Sequence, residues 1–108
     1  MELRNLKTFR VVANLLSFHR AAQTLHYAQS TVSAQVQALE EELGVRLFDR
    51  LGRGVLLTDA GQRLMQYAER MLALEEETRF EVGSGHSGQG NLTIRVPETL
   101  CTLRLAPV

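Results

Sequence analysis

The segment Gln29-Ser30-Thr31-Val32-Ser33-Ala34-Gln35 carries five uncharged hydrogen-bonding side chains within seven residues. A glutamine carboxamide can pair two-pronged with the edge of adenine, and a serine or threonine hydroxyl can bond several base edges or a phosphate oxygen. A face that only needed solvation would carry lysine and glutamate instead. Arg50 and Arg53 flank Gly52 a little further on, where guanidinium groups could reach phosphates or an adjacent minor groove. The spacing supports no competing chemistry. Cys101 is the one cysteine, and no Cys/His pair has metal-ligand spacing. Nothing places serine, histidine and aspartate together as a nucleophilic triad, and Glu40, Glu41 and Glu42 read as a solvated face, one of them near a wing arginine, with no cleft for acid–base work.

These residues need elements to hold them. Leu3, Leu6, Phe9, Val12, Ala13 and Leu16 recur mostly at three-residue steps, the mark of a first amphipathic helix with Arg4, Lys7 and Arg10 off its apolar stripe. Ser17 reads as the N-cap of a short second helix that buries Phe18, Ala21, Ala22 and Leu25. After a tight connection at 25–28, a third helix carries Val32, Val36, Leu39 and Leu43 on one stripe and stops at Gly44. Leu47 and Phe48, then Val55, Leu56 and Leu57, are β-prone runs around the glycine-bearing turn, which predicts a hairpin. Thr58 caps a fourth helix, with Asp59 in its first turn, that runs to 81 or 82 and would be about 35 Å long. Its residues Ala60, Leu64, Tyr67, Ala68, Met71 and Leu74 continue at steps of three and four, widened by Met65 and Leu72, so an apolar partner is implied. Gly83 to Gly90 has linker composition, and Leu92, Ile94 and Val96 alternate as one strand before Pro97. A lone strand has no partner here, which predicts a chain that ends just inside a second domain.

Three helices and a hairpin make a mainly α winged helix-turn-helix, followed by a long dimerisation helix. The 108 residues suit one modest core and carry no net charge, which excludes a uniformly basic coat. The zero is unevenly spread. Residues 1–39 hold Arg4, Lys7, Arg10 and Arg20 against Glu2, a net +3, whereas residues 59–82 hold three arginines against six acids, a net −3. No apolar run approaches a membrane span or a signal peptide, and a reducing intracellular setting fits the single cysteine.

The residues from Phe18 to His26, Gln29 to Val36, Leu39 to Arg50 and Leu57 to Gly61 closely resemble, in ungapped blocks and in order, the N-terminal domain of the LysR-type transcriptional regulators. The resemblance covers Leu3 to Glu81. It implies a winged helix-turn-helix DNA-binding domain over 1–58, a dimerisation helix over 59–82, a flexible hinge over 83–91 and the truncated start of an effector-binding domain over 92–108. Base reading then falls on Gln29, Ser30 and Ser33, a wing arginine on Arg53, and phosphate contacts near Ser17, His19, Thr31, Gln35 and Arg50. The dimer interface falls on Leu64, Tyr67, Ala68, Met71 and Leu74. Implied partners are double-stranded DNA at an inverted repeat, a second copy of the chain, a tetramer of the full-length form and RNA polymerase. No cofactor is implied for these residues, a small-molecule effector is expected for the second domain, and the setting is the bacterial cytoplasm. Two positions depart from the family pattern: Ala28 stands where a capping serine is usual and Ala34 where arginine or lysine is common.

Blander readings stand beside these. Histidines placed like His19 are more often partly exposed structural residues than DNA contacts, His26 needs no sensing role, and Tyr27 packs at the helix turn or meets a phosphate. Met65, Met71 and Leu72 suit core or dimer packing, and Cys101 suits burial in the second domain. A winged helix used only for protein contacts would show an apolar or heavily charged recognition face, which Gln29 to Gln35 is not. An enzyme would need convergent polar groups in a concave site, and no motif supplies them.

Overall fold

A computed structural model describes residues 1–52 and 54–83. Arg53, hinge residues 84–91, the expected strand at 92–96 and Cys101 lie outside the described residues. The order of elements is α1 (Leu3–Leu15), α2 (Phe18–Leu25), α3 (Gln29–Leu43), β1 (Phe48–Leu51), β2 (Gly54–Leu57) and α4 (Asp59–Val82). This is the mainly helical winged helix-turn-helix with a long last helix.

Each boundary follows from local chemistry. Leu16 adopts the left-handed conformation at φ 52° and ends α1, returning its N–H to the Val12 carbonyl. The apolar spacing had carried Leu16 into the helix. It stands instead outside it and half-exposed, and Leu3 at the other end is also exposed. Ser17 caps α2 as its sequence position predicts, its Oγ accepting from the Arg20 N–H at 3.1 Å. Ala28 offers α3 no side-chain cap. Gly44 ends α3 at φ +70°, a conformation that costs glycine little. The buried stripe of α3 stops at Leu39, since Leu43 is exposed.

Phe9, Val12, Ala21, Val32, Leu39 and Leu47 are completely buried and unite the three helices with the strand that follows. Phe48 bridges helices and wing, its ring 5.5 Å from both Phe9 and Phe18. The wing is an antiparallel pair with Phe48 opposite Leu57 and Arg50 opposite Val55. Cross-strand partners share a face, so Phe48, Arg50, Val55 and Leu57 lie on one side of the hairpin and Asp49 and Leu56 on the other.

Two hydrogen-bonded clamps join wing and helices. The Leu47 N–H donates to Glu40 Oε2 at 2.9 Å, so Glu40 is a latch between the end of α3 and the first strand rather than part of the solvated acidic face that the sequence had predicted. Thr58 caps α4 by accepting from the Gly61 N–H at 3.0 Å, and its own hydroxyl donates to the Arg46 carbonyl at 2.6 Å. Glu42 meets the amino terminus of Met1 at 2.9 Å.

The chain divides into two units after Leu72. Within the first, α4 buries Gly61, Leu64, Ala68 and Leu72, with Met65 and Met71 half-buried. From Ala73 on, Leu74, Phe80 and Val82 are exposed, and Arg79 pairs with Glu75 one turn back at 3.0 Å. Among the described residues no helix is long and apolar enough to cross a membrane, and no acidic, histidine or cysteine group could hold a metal ion.

Candidate nucleic-acid interface

Burial of Val32, Val36 and Leu39 turns the opposite side of α3 outward. Gln29, Ser30 and Thr31 are therefore exposed at its first turn, while Ser33 is half-buried. Because Ala28 supplies no cap, the first-turn N–H groups of α3 have no side-chain acceptor among the described residues, which suits an anion from outside. Within 28–32, the Thr31 and Val32 N–H groups bond the Ala28 carbonyl at 3.0 and 3.2 Å.

Folding gathers residues that are far apart in sequence. Ser17 and His19 from the start of α2, Gln29 from the start of α3, and Arg50 and Gly52 from the wing line one cleft of about 150 Å³. A neighbouring cleft of about 180 Å³ is lined by Ser33, Gln37 and Glu40 of α3 with Arg46 and Arg50 of the wing. Gln29 and Ser33 are one helical turn apart and stand on either side of the wing arginine, each in its own cleft. Ser30 and Thr31 line neither.

Gln35 is placed otherwise than as a simple phosphate ligand. Its side-chain oxygen accepts a hydrogen bond from Thr8, which is 1% exposed on α1. One half of the carboxamide is thus committed to holding α1 against α3, and only its NH₂ is free. Ser17 is also partly committed: its oxygen caps α2, leaving the hydroxyl proton to donate. His26 supplies the left-handed residue that ends α2, at φ 62°, and exposed Tyr27 follows it.

The interface residues on α4 sort differently from the sequence expectation. Leu64 and Ala68, expected in a dimer interface, are 9% and 0% exposed and belong to the chain's own core. Periodicity cannot tell a stripe that meets the same chain from one that meets a copy. Tyr67 and Leu74 are 55% and 61% exposed and Met71 is half-buried, so these three remain free to meet a partner.

Sequence reasoning missed several contacts. The Arg50 guanidinium lies over the Phe18 ring, 4.7 Å from its centroid. Arg46 donates to the Phe48 carbonyl at 3.5 Å, and Gln37 joins the second cleft. Glu40 and Thr8 act as structural hydrogen-bonding groups. A polar residue in register with a buried stripe was the available sign for Thr8, one position before Phe9. No local pattern announced the others.

Residues 3–62 match the sequence profile of the bacterial regulatory helix-turn-helix proteins of the lysR family. The chain is 42% identical over 108 residues to the uncharacterised HTH-type transcriptional regulator YwqM of Bacillus subtilis, spanning all of this chain and 37% of that protein. It is 39% identical over 109 residues to the regulator IlvY of Escherichia coli, again covering 37% of it. The chain thus spans well under half the length of these relatives. Among solved structures, the CbnR_DBD–DNA complex superposes with a TM-score of 0.70 at 42% identity, over 72% of this chain and 90% of that one. The BenM_DBD complex with catB site 1 DNA gives 0.77 at 36% identity, over 84% and 100%.

Proposed function

The chain belongs to the lysR family of bacterial regulatory helix-turn-helix proteins, and on that premise we propose that it regulates transcription by binding duplex DNA sequence-specifically as a homodimer. Residues 1–58 form the reading head in this proposal and 59–82 the pairing helix. Gln29, Ser30 and Ser33 read base edges, while Ser17, His19, Thr31, the free NH₂ of Gln35, Arg50 and Arg53 hold phosphates and set the register. The observation that carries the proposal is the cleft in which Gln29 meets Ser17, His19 and Arg50 from three separate elements. Such a convergence at the end of a helix suits a duplex, whose groove would receive the helix while its phosphates meet the flanking groups. That neighbours as similar as CbnR and BenM have been solved with DNA supports the same reading.

Pairing through Tyr67, Met71 and Leu74 places two heads on one duplex, so the site is an inverted repeat. Its half-sites lie about 34–36 Å apart, or a multiple of that. The reading assigns the chain no catalytic step and a cytoplasmic setting in a bacterium. Selection of bound duplexes from a random pool tests it. Enrichment of a two-fold symmetric sequence is expected; binding that depends on salt alone, with no sequence enriched, would overturn it.

A further inference from the structure

Phe18 and Arg50 line both clefts of the interface, and the Arg50 guanidinium rests on the Phe18 ring 4.7 Å from its centroid. We propose that Phe18 is a positioning residue for DNA binding: its ring holds the Arg50 guanidinium at the cleft without neutralising it. This rests on the reading of the face as a nucleic-acid interface.

A long side chain can be fixed by a carboxylate, a carbonyl or an aromatic face. The first is how Arg10 is held by Glu69 at 3.5 Å and Arg79 by Glu75 at 3.0 Å, and each such pair cancels the charge that a phosphate would seek. The second is how Arg46 meets the Phe48 carbonyl. Among the described residues no carboxylate bridges to Arg50. The ring quadrupole attracts the cation and leaves its charge and its in-plane N–H donors available.

The platform is also rigid. Phe18 is 7% exposed, meets Phe48 edge-on at 72° and 5.5 Å, and Phe48 in turn meets Phe9 at 5.5 Å, so a relay of three rings roots the arginine in the core. Phe18 opens α2 directly after Ser17, which puts ring, cap and guanidinium at one helix end. A leucine there could fill much of the same apolar space but presents no π face.

The test combines Phe18→Leu, Phe18→Tyr and Arg50→Ala in this chain, read by affinity for a selected duplex and by the Arg50 Nε–Hε resonance in the DNA-free protein. Phe18→Leu should weaken binding about two- to fivefold, the usual scale of an exposed cation–π contact. Phe18→Tyr should restore it, and the leucine effect should vanish when Arg50 is alanine. In the parent the resonance should show a ring-current shift that Phe18→Leu removes. Equal losses with and without Arg50 would mean that Phe18 acts only through the core and would overturn the proposal. A parent resonance indistinguishable from that of exposed Arg20 would overturn it too, whether or not the leucine variant folds. A shifted resonance in a chain that binds no duplex would remove the interface reading, and the positioning role with it, while leaving the stacking intact.

Discussion

Replacing Gly61 by alanine should destabilise the protein, although it exchanges the poorest helix former short of proline for the best one. On an unobstructed helix this change stabilises by about 1 kcal/mol. At Gly61 the added Cβ would stand 2.3 Å from the Leu47 carbonyl oxygen and 2.7 Å from Leu57 Cδ2. The leucine methyl can rotate aside. The carbonyl cannot, because Leu47 is completely buried and its oxygen accepts from the Thr58 N–H at 3.0 Å. Ordinary carbon–oxygen contact requires α4 to retreat by roughly 1 Å, which also stretches the bond from Thr58 Oγ1 to the Arg46 carbonyl. Overpacking of this kind costs about 1–3 kcal/mol, and a weakened hydrogen bond about 1 more. After the propensity gain the net loss is about 1–3 kcal/mol, or roughly 5–20 °C in Tm for a domain of this size. Thermal unfolding by circular dichroism at one fixed protein concentration reads it, with Gln62→Ala at the exposed neighbouring position as the control. A Gly61→Ala protein that melts at or above the parent would refute the close approach, because the sign itself separates the two outcomes.

Other substitutions probe the remaining contacts. Ala28→Ser should restore the missing cap of α3 and raise stability by about 1 kcal/mol, seen as a higher Tm; the extended backbone at φ −68° and ψ 148° already suits a capping residue. Glu40→Ala should cost about 1–3 kcal/mol in urea unfolding, because the N–H of buried Leu47 loses its acceptor. Gln29→Ala should lose about 1–3 kcal/mol of discrimination at one base position, with an unchanged sequence preference in a repeated selection counting against its role. Arg50→Ala should lower the slope of log affinity against log salt by about 1, whereas Arg79→Ala, which changes the net charge equally but removes a cation already paired with Glu75, should leave it alone.

The legible parts of the fold were those with a local cause. Ser17, Gly44 and Thr58 mark helix ends because each satisfies backbone groups within four residues of itself, and the hairpin follows from a glycine between two β-prone runs. The polar first turn of α3 was legible for a similar reason, as a departure from what solvation alone requires. Contacts across the sequence were not. Thr8 and Gln35 are 27 residues apart, and the Glu40 latch depends on where the chain returns after Gly44. The apolar stripe of α4 was visible, but its owner was not: Leu64 and Ala68 differ from Tyr67 in which side of the helix meets the chain's own core.

A chain with no net charge can still bind a polyanion if its cations are allocated by position, and the structure gives the allocation a mechanism. Arg10 and Arg79 are matched by Glu69 and Glu75, so they add little to the field beyond their own helices. Arg50 is held by a ring, and His19 and Arg20 are exposed at the start of α2 without a carboxylate partner among the described residues. In the proposed interface the charge that counts is therefore that of the cations at the clefts without a carboxylate partner, not the sum over the sequence. Counterion release responds only to cations that reach phosphates, so the salt dependence of binding counts those groups directly. Aromatic support for Arg50 is consistent with that economy, since it fixes the guanidinium at the cleft without a carboxylate that would subtract from the count.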